Sequence, residues 1–159
     1  VGDAITNAAS QGDKVLALTT NYAVGSVLDS NPSEATVTAT ATSAVNAVVN
    51  DPAKLKTTVE AMMQTAAGKA KPQDVYLLSK ATLDASSGAA SVKSVVEAIY
   101  NSFPNDQAKQ QQALRGIVDG FGGFEGSAEE VAALKEKILA GIPSGKRAAM
   151  AKRLDASRK

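Results

Sequence analysis

Apolar side chains recur at helical spacing along the second half of the chain. Val92, Val95, Val96, Ile99, Tyr100 and Phe103 step by three and one, so they share one face of a helix, and Pro104 ends it. Asn105-Asp106 offers a cap for the next helix, whose stripe is Leu114, Ile117, Val118 and Phe121. Ser127-Ala128-Glu129-Glu130 has the form of a capping box, and Val131, Leu134, Ile138, Leu139 and Ile142 follow it. Pro143 stops that helix, and Ser144 is placed to cap a last one. Leu55, Val59, Met62, Met63 and Ala66 make a comparable stripe earlier, closed by Gly68. In the first segment Val15, Leu18, Tyr22 and Leu28 are the expected core-facing positions, with Gly25 interrupting them.

Proline punctuates the first half. Pro32, Pro52 and Pro72 are spaced evenly, and a helix of about four turns plus a short connection fills such an interval. Asn31-Pro32-Ser33-Glu34 and Asp51-Pro52 read as cap-then-proline helix starts, with Asn31 as the first cap. Lys71-Pro72-Gln73-Asp74 keeps the proline with a poor cap, and Gly12-Asp13 opens a segment one step back. Only 35–42 resists, because its Ala/Thr alternation has the period of a strand. Val37, Ala41, Ala44, Val45 and Val48 also stand at helical spacing behind a capped start, which favours helix.

These elements predict an all-α chain of about eight short antiparallel helices, either an α-solenoid-like stack of helix pairs or a compact multi-helix bundle. Residues 1–143 form the helical domain, with helix-turn units of about twenty residues across 12–88, and 144–159 a basic terminal helix or tail. Composition agrees. Alanine is the commonest residue and there is no Trp, so the core must be built by close approach of thin helices.

Charge and chemistry narrow the function. Basic and acidic residues nearly cancel, at 17 and 16, which argues against a whole-surface nucleic-acid binder. Without His or Cys there is no His/Cys zinc site, no thiol nucleophile, no Ser-His-Asp triad and no disulfide. No apolar run is long enough for a transmembrane span. The glycine-rich stretch Gly120–Gly126 lacks the preceding strand and the Lys of a phosphate loop. Gly141-Ile142-Pro143-Ser144-Gly145-Lys146-Arg147 is one residue short of a Walker motif and carries Arg where Ser or Thr should be. Asp119 and Glu125 read as solvated loop charges. No catalytic residue, cofactor or metal ligand is expected, and the chain is not expected to be an enzyme.

Two features carry functional weight. Phe124 sits among glycines outside any helical phase, either as a loop anchor or as an exposed partner contact. The second is the concentration of cations after residue 126, where Lys146, Arg147, Lys152 and Arg153 are the candidate contacts. The expected function is a non-catalytic helical interaction or scaffold domain that binds another protein through a surface formed by adjacent helices. The alternatives are an enzyme or small-molecule carrier with an Ala-lined pocket, and a weak binder of anionic polymer or lipid through the basic segment. The Ala/Thr/Ser-rich composition without Cys or His, together with the start at Val1, suggests a protein exported to the periplasm or beyond the cell.

Overall fold

The computed structural model describes residues 1–159 and contains nine α-helices and no strand. They are α1 (Gly2–Ala9), α2 (Asp13–Asp29), α3 (Glu34–Asn46), α4 (Pro52–Lys69), α5 (Pro72–Ser86), α6 (Val92–Asn101), α7 (Gln107–Gly122), α8 (Ala128–Ala140) and α9 (Arg147–Ser157). A single 3-10 turn, Ser144–Lys146, leads into α9.

The capping chemistry explains most boundaries. Asp51, Asp106 and Ser127 accept from the main-chain N–H groups of Lys54, Lys109 and Glu130, and Glu130 bonds back to the Ser127 N–H to close the capping box. Three expectations need correction. Asn31 does not cap α3. It takes the left-handed conformation at φ 53 after α2 ends, and Ser33 is the cap, accepting from Thr36 N–H. Ser144 likewise does not cap α9, because it starts the 3-10 turn. Gly25 does not interrupt α2, which runs through it to Asp29.

The Thr-rich stretch is helical. Thr40 and Thr42 donate their hydroxyls to the carbonyls of Thr36 and Thr38 one turn back, which removes the polar conflict that a β-branched run otherwise brings to a helix.

From α2 onward each helix packs most heavily on a helix two places away in the chain, while α1 leans more on α2 than on α3; α1, α3, α5, α7 and α9 thus form one layer and α2, α4, α6 and α8 the other. Within a layer the helices run parallel. Asn21 and Asp29 of α2 meet Thr65 and Lys69 of α4 in the same order, as Ser79 and Leu83 of α5 meet Gly116 and Gly120 of α7. Consecutive helices are joined by short turns and reverse direction between the layers. The result is a multi-helix bundle ordered as a stack of helix pairs, with one continuous apolar core from Ile5 to Leu154.

Glycine sets the closest approach. A Cβ on Gly116 would stand 2.7 Å from the Tyr76 carbonyl oxygen, and one on Gly141 would stand 2.7 Å from that of Lys93. Bare backbone at these points lets α7 lie on α5 and the end of α8 on α6.

Candidate functional site

The terminal basic segment is a docked helix. Met150 and Leu154 point into the core, and the cations divide by role. Arg147 Nε donates to the Ile142 carbonyl at 2.9 Å in the turn after α8, and its Nη2 reaches the last α8 carbonyl, that of Ala140, at 3.4 Å. Arg158 does the same for α7, with Nη1 bonded to the carbonyls of Phe121 and Phe124 at 2.7 and 2.9 Å. Asp155, the only acid of the segment, pairs with Lys135 of α8 at 2.8 Å. Lys146, Lys152 and Arg153 are exposed and have no ion-pair partner.

Phe124 lies half-buried against the core, and its ring covers Gly126, where a Cβ would come within 2.7 Å of Cε2. It anchors the turn from α7 to α8. The helix before it extends further than the glycine content suggests, so Gly120 and Gly122 are helical and only 123–127 form the turn.

The early segment holds the largest departure from the sequence reading. Val15, Leu18 and Tyr22 do not line the core: Leu18 is 62% and Tyr22 79% exposed, and Val15 is exposed beside them. The core face of α2 is Leu16, Thr20 and Val24. Thr20 is tolerated there because its hydroxyl donates to the Leu16 carbonyl. The helix thus carries two apolar stripes, one inward and one outward, and spacing alone does not rank them.

A polar cluster joins α5 to α7. The Tyr76 hydroxyl donates to Asp119 Oδ2 at 2.5 Å, and the Arg115 guanidinium lies 4.6 Å from the Tyr76 ring centroid. The bond to the Asp119 carboxylate, helped by burial, raises the Tyr76 pKa above its ordinary 10.0. Asp84, two turns further along α5, has its pKa raised by desolvation beside Gly120, partly offset by Lys80. Asp119 is therefore a structural partner as well as a surface charge. The signal for this cluster, Tyr76-x-x-x-Lys80-x-x-x-Asp84 on one helix and Arg115-x-x-x-Asp119 on the next, becomes legible only once the two helices are known to be neighbours.

A hollow of about 560 Å³ lies at the turn from α6 to α7, bounded by Tyr100, Asn101, Phe103, Asn105, Gln107 and Gln110 among others. A second hollow of about 450 Å³ over the α4–α6 seam shares Asn101 and Pro104 with it. A third, of about 550 Å³, separates α8 from α9 around Val131, Lys135, Asp155 and Arg158. No group of three or more acidic side chains is arranged to hold a metal ion, and no helix is long and apolar enough to cross a membrane. No family model, curated protein or solved structure matches the chain, so its fold and surfaces are what it offers as guides to function.

Proposed function

We propose that this chain is a non-catalytic helical interaction domain that binds another protein through the outer faces of adjacent helices, with α2 at the centre of the contact. The observation that carries this reading is the outward stripe Val15, Leu18 and Tyr22, at i, i+3 and i+7 on a helix already anchored by a separate inward face. Folding gains nothing from placing large apolar groups in water, whereas a helix ridge presenting such anchors suits an apolar groove on a partner.

The stripe is the centre of an interface and not the whole of it. A standard interface takes about 800 Å² from each partner, more than three side chains supply, and its core is surrounded by a polar rim. The Asn21–Thr65 bond and the Asp29–Lys69 ion pair at 2.6 Å provide that rim along the α2–α4 seam. The occupant on this reading is a different protein, whose groove receives Leu18 and Tyr22. Export to the periplasm or beyond belongs to the same reading and rests on composition alone.

The test is capture from the native extract with three baits: the wild-type protein, Leu18→Glu/Tyr22→Glu, and Lys152→Glu/Arg153→Glu. A partner held by the first and third, lost by the second, and rebound as a purified protein supports the reading. Loss should reach about 30-fold, the ~2 kcal/mol of a buried aromatic anchor. Equal retention by all three baits, or no partner for the wild type, overturns it.

A second reading is favoured by the unpaired Lys146, Lys152 and Arg153. A weak contact with an anionic polymer or lipid surface through α9 would use these cations and leave α2 free. Binding lost to the third bait and to physiological salt, with the second bait unaffected, would select it.

A further inference from the structure

We propose that the end of the stack formed by α8 and α9 docks on the same end of a second copy of this chain, with α8 of each copy against α9 of the other. This goes beyond the protein-binding reading of α2 and uses different residues, so either can fail alone.

The fold leaves this end open. Within their layer α4 and α6 have a helix on each side, whereas α8 has only α6, and α9 in the other layer has only α7. Between α8 and α9 lies the hollow of about 550 Å³, with Phe121, Ala128, Val131 and Ala132 in its lining. The Lys135–Asp155 pair spans it at 2.8 Å and marks which flank of each helix borders it. Ala128, Val131 and Ala132 precede Lys135 by seven, four and three residues, so they share its flank of α8. Ala148 and Ala151 precede Asp155 by seven and four, and share its flank of α9. Small and apolar side chains therefore occupy the middle of the end face, as in the core of an interface.

Charge is divided between its two edges. Glu129 and Glu136, one turn to either side of Ala132 on α8, are exposed and without an ion-pair partner. Lys152, one turn after Ala148 on α9, is exposed and equally unpaired. The α8 edge is thus acidic and the α9 edge basic. A twofold axis parallel to the helices exchanges the edges, so each meets its opposite, and any contact made once is made twice. An axis across the helices would instead set α8 on α8, acid against acid.

The register fits as well. The parallel axis keeps every residue at its own height along the helices. Measured from the Lys135–Asp155 level, Glu136 stands about 1.5 Å to one side, at the rise of an α-helix. Lys152, three residues earlier on the antiparallel α9, stands about 4.5 Å to the same side. A gap of about 3 Å in height is easily closed by two long side chains. The face is small: α8 is about 20 Å long, and two helices side by side offer about 400 Å², half of a standard patch. The dimer is accordingly weak, with a Kd of about 10–100 μM.

The experiment is sedimentation equilibrium of the full chain from about 5 μM to about 1 mM, where one copy should pass to two and stop there. Glu136→Lys alone and Lys152→Glu alone each bring like charges together twice, and each should weaken the dimer about 10-fold or more. An equimolar mixture of the two variants again pairs opposite charges at both contacts, so it should associate about as tightly as the wild type. Ala132→Glu puts a charge into the apolar middle and should leave a single copy even at about 1 mM. All three positions are exposed, so the circular dichroism spectra should be unchanged. A wild type that stays single at about 1 mM, or a mass that climbs past two copies, would overturn the proposal. So would single variants that associate like the wild type, or that fail to regain association on mixing.

Discussion

Arg158 grips Phe121 at two points: Nη1 donates to its main-chain carbonyl at 2.7 Å, and the guanidinium lies 5.3 Å from its ring centroid. The penultimate residue thus finishes a helix 37 positions earlier. The same group reaches the Phe124 carbonyl, so it also fixes the exit from α7. Arg158→Ala leaves these carbonyls without their charged donor and should cost about 1.5–3 kcal/mol in a urea melt. Arg158→Lys, which keeps the charge but not the fork, should recover only part of it. Equal stability of all three proteins would show that water replaces the contact.

The docking of α9 also rests on Leu154, which is fully buried, and Met150, which is nearly so. Leu154→Ala should destabilise the whole protein by about 2–5 kcal/mol, and removal of 144–159 should lower the melting temperature sharply. A truncated protein that melts like the full chain would mean that α9 adds nothing to the core.

At Gly116 even a methyl group is too much. Its Cβ would lie 2.7 Å from the Tyr76 carbonyl oxygen and 2.9 Å from the Lys80 nitrogen, both backbone atoms that cannot swing aside. Gly116→Ala should therefore destabilise by about 1–3 kcal/mol despite the better helix propensity of alanine. Gly68→Ala, with open space around it, should be neutral or stabilising. If the two substitutions behave alike, the close approach of α7 to α5 is not what Gly116 supplies.

Ile99 and Leu18 make a paired test of the two kinds of stripe. Ile99 has no exposed surface, so Ile99→Ala should cost about 2–5 kcal/mol. Leu18→Ala should stay within about 0.5 kcal/mol, because most of that side chain is already in water. Denaturant melts of both variants check the assignment, and a large loss at Leu18 would contradict it.

Two titrations follow from the α5–α7 cluster. Asp119→Asn removes the charged acceptor of the Tyr76 hydroxyl, so one of the three tyrosines should titrate nearer 10 in the variant than in the wild type, read by ultraviolet absorbance. Asp84 has the opposite consequence to a salt-bridged acid. Its folded pKa lies above the unfolded one, so the folded state binds the extra proton between the two values, and stability falls as pH rises through that window. Asp84→Asn should raise the melting temperature at neutral pH and leave it unchanged below about pH 3, where both states are protonated. A lower melting temperature at neutral pH would reverse the sign.

Much of the helical framework was legible along the chain because its signals are local. A cap acts on the N–H groups two or three residues ahead, and proline acts on the turn that contains it. Asp51, Asp106 and Ser127 therefore mark their helices correctly in the sequence. The stripe through Val95, Val96 and Ile99 points to the core because α6 has a single apolar face. On α2 the same reasoning selected the wrong face. Leu16 and Val24 compete with Leu18 and Tyr22, both pairs at helical spacing, and only the packing of α4 and the opposite layer decides which set is buried.

The pairing of helices was beyond any local signal. Gly116, Gly120 and Gly141 look like weak points in a helix until their neighbours are known, since a missing Cβ has value only where another backbone comes close. Lys109, Arg147 and Arg158 likewise read as charges and act as caps on carbonyls of other helices or turns. The sequence by itself determined most of the helices, the ends capped by Asp51, Asp106 and Ser127, and the absence of His and Cys chemistry, because propensity, capping and composition are properties of a few adjacent residues. Tertiary structure alone decided the two-layer order, the outward face of α2 and the joined hollows at Asn101 and Pro104, because each depends on contacts between residues far apart in the chain.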